Sequence, residues 1–226
     1  RVFDRGNVEL VGLEGRIRLG LGEFEAAGEL FKSIIAIQPN NLDARFGLAE
    51  LEIAFGQTAN AAALYEQSLK ISPQNRRALL SLIIIFDEAG KHDIAEIYLE
   101  QVLDYYSESP QVQYIAAKHR LESGMLNDAE YHTLLALELK PEYIDAILLL
   151  SKIYIEQKNY NKAVETVEAV LASNRGEPLL WYTLGAANSL LDNNDEAIQA
   201  YARAFTLQPD DEVSRIALEN LLIDYL

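Results

Sequence analysis

The chain has 226 residues, half of them hydrophobic, and sets 35 acidic against 19 basic side chains for a formal charge of −16. That balance opposes the counterion displacement on which phosphate-backbone and anionic-membrane binding depend, so no nucleic acid partner is expected. Cysteine is absent, which removes disulfides, thiolate metal sites and cysteine nucleophiles together.

The absence of cysteine suits a reducing cytoplasm, and equally a bacterial periplasmic or envelope-associated protein that never uses disulfides; a soluble protein is expected in either case. The longest apolar run, Leu79 to Phe86, falls short of the roughly 18 residues a membrane helix requires, so no membrane insertion is expected. The first residue is Arg1 rather than methionine, and Val2 and Phe3 read as the tail of an earlier helix. A piece of a longer protein is the expectation.

Along the chain one residue recurs in strict register. Ala27, Ala61, Ala95, Ala129, Ala163 and Ala197 stand 34 residues apart, the mark of a chain built from stacked copies. The units run 8–41, 42–75, 76–109, 110–143, 144–177 and 178–211, one array over 1–226, with a flanking segment at 212–226. Each unit reads helix, turn, helix. First helices carry apolar residues three and four apart, as in Leu79, Leu82, Ile83 and Phe86, or Ile147, Leu150 and Tyr154.

The turns carry Gly22, Gly56, Gly90 and Gly124 at one place in the unit, where a left-handed residue ends the helix. Units five and six have Lys158 and Asp192 there, with Asn159 and Asn193 following as partial substitutes. Second helices are expected to open behind capping side chains at Asp93, Asn127, Asn161 and Asp195. Pro39, Pro73, Pro141 and Pro209 close four units; Ser107 and Arg175 stand at that place in the other two. Pro110 and Pro178, three residues later, break the chain at the same boundary.

The repeated alanines let the two helices of a unit approach closely, with Phe31, Tyr65, Leu99, Val167 and Tyr201 filling around them four residues on. Thr133 interrupts that series, and a looser contact is expected there. The last full unit contains Asn193 to Pro209, one amphipathic helix with Ala197, Tyr201 and Ala204 at helical spacing. Residues 212–226 form a further amphipathic helix, either a cap over the last apolar face or the start of a seventh unit.

Thirty-four-residue units with Trp181, Leu184, Gly185, Ala197, Tyr201, Ala204 and Pro209 resemble the tetratricopeptide repeat (TPR). The second unit matches well, with Leu48, Ala49, Ala61, Tyr65 and Pro73. The first departs at its front, where Val11, Glu14 and Arg18 replace aromatic or apolar groups. The resemblance implies an all-α, right-handed superhelical solenoid, with first helices lining a concave groove that holds another polypeptide.

Catalytic chemistry finds little support. His92, His119 and His132 lack metal-ligand spacing, and no phosphate loop or nucleophile elbow is present. No cofactor and no metal are expected, and the chain is not expected to be an enzyme.

Family geometry places the second, fifth, ninth and twelfth residues of each unit on the groove. The fifth residues are Gly12, Phe46, Leu80, Tyr114, Leu148 and Tyr182, a ladder of mainly apolar groups. Leu80 and Leu148 are expected to be core; Phe46, Tyr114 and Tyr182 are expected to be partly exposed and to contact a partner. Arg77, Lys118 and Lys152 would recognise charge, flanked by Asp43, Glu50, Arg16, Gln111, Asp145 and Ile84. The family's carboxylate clamp for chaperone tails is not reproduced: Gly12, Arg16 and Gly47 stand where lysine and asparagines belong. The expected function is a protein or peptide-binding scaffold, with an acidic surface favouring basic or neutral partner groups. The alternatives are a structural module that self-associates through apolar ends, and the recognition arm of a larger enzyme or secretion complex.

Overall fold

The computed structural model describes the backbone of residues 5–225 and the side chains of residues 8–223; Val2, Phe3 and Leu226 lie outside them. The described residues form thirteen helices and no strand. The helices are α1 (Arg5–Gly20), α2 (Phe24–Ile37), α3 (Leu42–Ala54), α4 (Thr58–Ile71), α5 (Arg76–Glu88), α6 (His92–Tyr106) and α7 (Pro110–Glu122). Then follow α8 (Leu126–Leu139), α9 (Ile144–Glu156), α10 (Tyr160–Leu171), α11 (Pro178–Ser189), α12 (Asn194–Leu207) and α13 (Glu212–Tyr225). From α3 onward, first helices begin at 42, 76, 110, 144, 178 and 212, and second helices from α2 at 24, 58, 92, 126, 160 and 194. The 34-residue step of the sequence is therefore the step of the backbone.

Two compact units divide between Ser107 and Glu108. In the first, α1–α6 form three helical hairpins, each packed on the next. In the second, α7–α12 form three more, with α13 against α12.

All six registered alanines are fully buried, because an alanine at each crossing leaves room for the large residue one turn later. Phe31, Tyr65, Leu99, Val167 and Tyr201 are buried beside them. Thr133 departs from the looser contact expected of it. It is fully buried, and its hydroxyl donates to the Ala129 carbonyl at 2.6 Å, so a hydrogen bond closes the site. Three crossings are tighter still and use glycine. A Cβ on Gly15 would meet the Phe31 ring at 2.7 Å, one on Gly47 would intrude further into the same ring, and one on Gly185 would meet Tyr201 at 2.7 Å.

Every first helix ends in one motif. Gly22, Gly56, Gly90 and Gly124 have φ between 68° and 77°. Around Gly56, Gly56 N–H donates to Ile53 and Gln57 N–H to Glu52, at 2.9 and 2.7 Å, which is the Schellman arrangement. In the fifth and sixth hairpins Lys158 and Asp192 themselves adopt φ 59° and make the same bonds. The following Asn159 and Asn193, expected to substitute, have negative φ and are the residues before α10 and α12. The hydrogen-bond pattern fixes which residue must be left-handed, whatever its side chain.

Capping also departs from expectation. Asp93, Asn127, Asn161 and Asp195 are second residues of their helices, two positions past the N-caps, although a carboxylate there still favours the helix dipole. The capping side chains belong to first helices: Asn41 accepts from Ala44 N–H at 2.9 Å and Asn75 from Ala78 N–H at 3.0 Å. Asp211 accepts from Ser214 N–H at 2.9 Å, in the same register before α13. Pro110 and Pro178 occupy the first turns of α7 and α11, as anticipated.

Candidate functional site

The first unit brings the anticipated wall residues of α3 and α5 together, but as a closed cluster. Phe46 is only 4% exposed, against the expectation of partial exposure. Its ring packs on Tyr65 at 5.7 Å between centroids, and the Arg77 guanidinium covers it at 4.7 Å. Arg77 also pairs with Glu50. The reason is steric: the fifth residue of α3 points at the tyrosine that follows Ala61, and a long arginine on α5 lies across the ring. Phe46 is therefore a core residue rather than a partly exposed one. Leu80 is buried, as expected, and Ile84 is exposed.

Gly12 alters the wall at α1. Where the other repeats carry a side chain it has none, and a pocket of about 550 Å³ opens there. Val8, Gly12, Phe31 and Ile34 form its apolar floor, while Glu9, Arg16 and Asp43 supply charge. Asp43, Arg16 and Gly12 are the groove positions that meet in it. The sequence signal was present, since Gly12 is the single member of the fifth-position ladder without a side chain, but a missing group is easily read as a missing contact.

In the second unit the wall is more open. Tyr114 and Tyr182 are half-buried, Lys118 is half-buried and Lys152 exposed. Tyr114 packs against Tyr143 at 5.2 Å and faces Asp145 of α9. Burial, and then the Asp145 charge, push the Tyr114 hydroxyl above its ordinary pKa. Tyr182 packs on Tyr201 at 5.5 Å; burial, and then Tyr182, push Tyr201 up to about 12. Lys118 and Lys152 make no ion pair among the described residues. Lys118 follows Tyr114 by one helical turn, and Lys152 follows Leu148, which is half-buried rather than core. Helices α7, α9 and α11 touch in sequence. This wall therefore presents two tyrosine edges with free ammonium groups beside them. Tyr143, which flanks it under Lys140 at 4.7 Å, falls outside the four groove positions and was not anticipated.

His92 Nδ1 lies 2.9 Å from Asp87, His119 is buried, and His132 Nδ1 lies 2.7 Å from the Gln113 amide oxygen. Among the described residues no helix is long and apolar enough to cross a membrane.

Comparison with known proteins follows this geometry. In sequence the chain is similar to the peroxisomal targeting signal receptor of Candida albicans, 24% identical over 192 residues that cover 79% of this chain and 32% of the receptor. It thus spans about a third of the length of such curated relatives. Among solved structures, a chain of the APC/C hetero-tetramer Cut9–Hcn1 matches with a TM-score of 0.77 at 15% identity, over 95% of this chain and 43% of that one. YrrB, described as a TPR protein with an unusual peptide-binding site, matches with a TM-score of 0.60 at 17% identity, over 85% of this chain and 99% of that one. These likenesses carry the fold. Tetratricopeptide repeat models match residues 13–76, 52–119, 120–187 and 179–211. The chain belongs to the tetratricopeptide repeat family.

Proposed function

We propose that this chain is a non-catalytic scaffold that holds an extended segment of another protein on the first-helix wall. The observation that carries the reading is the second-unit wall, where half-exposed Tyr114 and Tyr182 stand with Lys118 and Lys152, which make no ion pair among the described residues. Aromatic edges supply contact area at low conformational cost, and free cations set orientation and choice of partner. The Asp43 pocket beside Gly12 offers a second, separate contact in the first unit. The comparisons support the same class of function: one relative is a targeting signal receptor, and one structural neighbour has a peptide-binding site.

The test is photocrosslinking from a benzoylphenylalanine placed at Tyr114, at Tyr182 and, as an outer control, at Glu165. Adducts to one polypeptide from the two wall positions and none from Glu165 support the reading. Equal labelling from all three overturns it.

A second reading rests on a different observation. Leu10, Leu13 and Ile17 form an exposed stripe on α1, with exposed Leu21 just past its end, and Val213, Ile216 and Ile223 one on α13. Contiguous apolar faces mark association surfaces, so the chain would assemble with itself or a fixed subunit through its terminal helices. Light-scattering mass across a hundredfold dilution distinguishes the two: a constant 25.3 kDa removes self-association, and a larger species that Leu13→Glu/Ile17→Glu dissociates establishes it.

A further inference from the structure

The second unit holds a pocket that shares no residue with the wall. Glu168 and Leu171 of α10, Ala172 and Arg175 of the connection, Trp181 and Leu184 of α11, and Arg203 of α12 enclose about 560 Å³. Its floor is apolar, since Leu171 and Leu184 are buried, and its side is the indole of Trp181. The indole N–H donates to the Arg175 carbonyl at 2.9 Å, which holds the ring upright and pins the connection. In the preceding three repeats the same place is filled by Leu79, Gln113 and Ile147, all buried; the larger indole is only half-buried.

The rim is what sets this pocket apart. Arg18, Arg77 and Arg215 are ion-paired, Arg45 is hydrogen-bonded, and Arg76 lies over Tyr106. Among the described residues Arg175 and Arg203 have no ion pair and no side-chain hydrogen bond. Arg175 also stands where four other repeats have proline, and Pro178 already breaks the helix, so the guanidinium answers no demand of the fold. Two free guanidiniums against one carboxylate, Glu168, make the rim locally cationic in a chain of charge −16.

We propose that this pocket is a second peptide site, which takes an acidic segment of a partner protein with an aspartate or glutamate side chain next to an apolar one. One planar guanidinium pairs with the carboxylate through two parallel N–H···O bonds, which an ammonium cannot do, and the second adds its charge beside it. The apolar neighbour enters between the indole and the leucines, where desolvation favours it. The site reverses locally the preference for basic partners that net charge implies, and it is independent of the wall.

Trp181 is the only tryptophan of the chain, so intrinsic fluorescence reads this pocket directly. The probe is the capped heptapeptide Glu-Asp-Leu-Glu-Phe-Asp-Glu, acetylated and amidated so that every carboxylate is a side chain; its control replaces each acid by the amide. The acidic peptide gives a saturable change in Trp181 emission, about tenfold tighter than the control. Arg175→Gln/Arg203→Gln weakens it by about tenfold or more, and Glu168→Gln, which keeps both arginines, tightens it by a few-fold. Tyr114→Ala/Lys152→Gln leaves it unchanged. An absent emission change, equal affinity for the control, indifference to the arginine variants, or loss in the wall variant each overturns the proposal. The last would assign the binding to the wall and leave the proposed function standing.

Discussion

The guanidinium of Arg77 lies 4.7 Å above the ring of Phe46 and pairs at the same time with Glu50. One side chain thus seals a core aromatic that sequence spacing places on the binding wall. The Arg77 and Glu50 side chains are 43% and 38% exposed, so solvent screens the pair. A double-mutant cycle on Arg77→Ala and Glu50→Ala should return a coupling of about 0.5 kcal/mol or less. Phe46→Ala should cost about 3–4 kcal/mol, measured by urea unfolding. A loss under about 1 kcal/mol would return Phe46 to the surface.

Glycine serves two purposes in these helices, and alanine separates them. Gly47→Ala drives a Cβ into the Phe31 ring and should destabilise by about 1–3 kcal/mol. Gly28→Ala meets Leu51 at an ordinary 3.5 Å and should stabilise by about 0.5–1 kcal/mol through helix propensity. Thermal melts of the two variants should move in opposite directions.

Lys158 and Asp192 occupy the left-handed place that glycine fills in four other repeats. The backbone there is strained for any residue with a Cβ. Lys158→Gly and Asp192→Gly should each stabilise by about 1 kcal/mol, while Gly56→Ala should destabilise by a similar amount. Unfolding midpoints at unchanged slope are the readout.

Asn41 and Asn75 cap α3 and α5 through their side chains, whereas Ser109, at the same place before α7, makes no side-chain cap bond. Asn41→Ala and Asn75→Ala should each cost about 1 kcal/mol, and Ser109→Ala clearly less. Asp211 adds a pH dependence: the Ser214 hydroxyl and N–H hold its carboxyl below the usual value. Its contribution is present above the unfolded pKa and lost as pH falls through the folded one. Asp211→Asn should flatten the acid limb of the stability curve.

Burial, and then the Glu130 carboxylate, push the Tyr154 hydroxyl up to about 12, as burial beside Tyr182 does for Tyr201. The sign is that of a raised folded pKa. Both residues support the fold below the unfolded tyrosine value of about 10, and that support is lost as pH rises toward 12. An ultraviolet alkaline titration reads both groups. Tyr154 and Tyr201 should ionise late, together with loss of helical signal, and Tyr201→Phe should hold the fold to higher pH.

The register of thirteen helices was legible because close packing leaves little freedom. An alanine at each crossing, a boundary proline and a left-handed turn residue recur at fixed places, and each follows from local sterics. Ala27 to Ala197 and Pro110 and Pro178 needed no three-dimensional information. Other features depended on what stands opposite a residue in the folded chain. Phe46 and Tyr182 share one place in the repeat, yet Arg77 covers the first while the second stays half-open. Gly12 and Gly47 look alike in sequence, but one leaves a pocket and the other makes room for Phe31. Arg175 and Arg203, 28 positions apart in the chain, meet at one rim because α11 packs against both α10 and α12. Periodicity is a local property and repeats in every copy. Burial, pairing and pocket shape are set by neighbours from other helices, and those only the tertiary structure supplied.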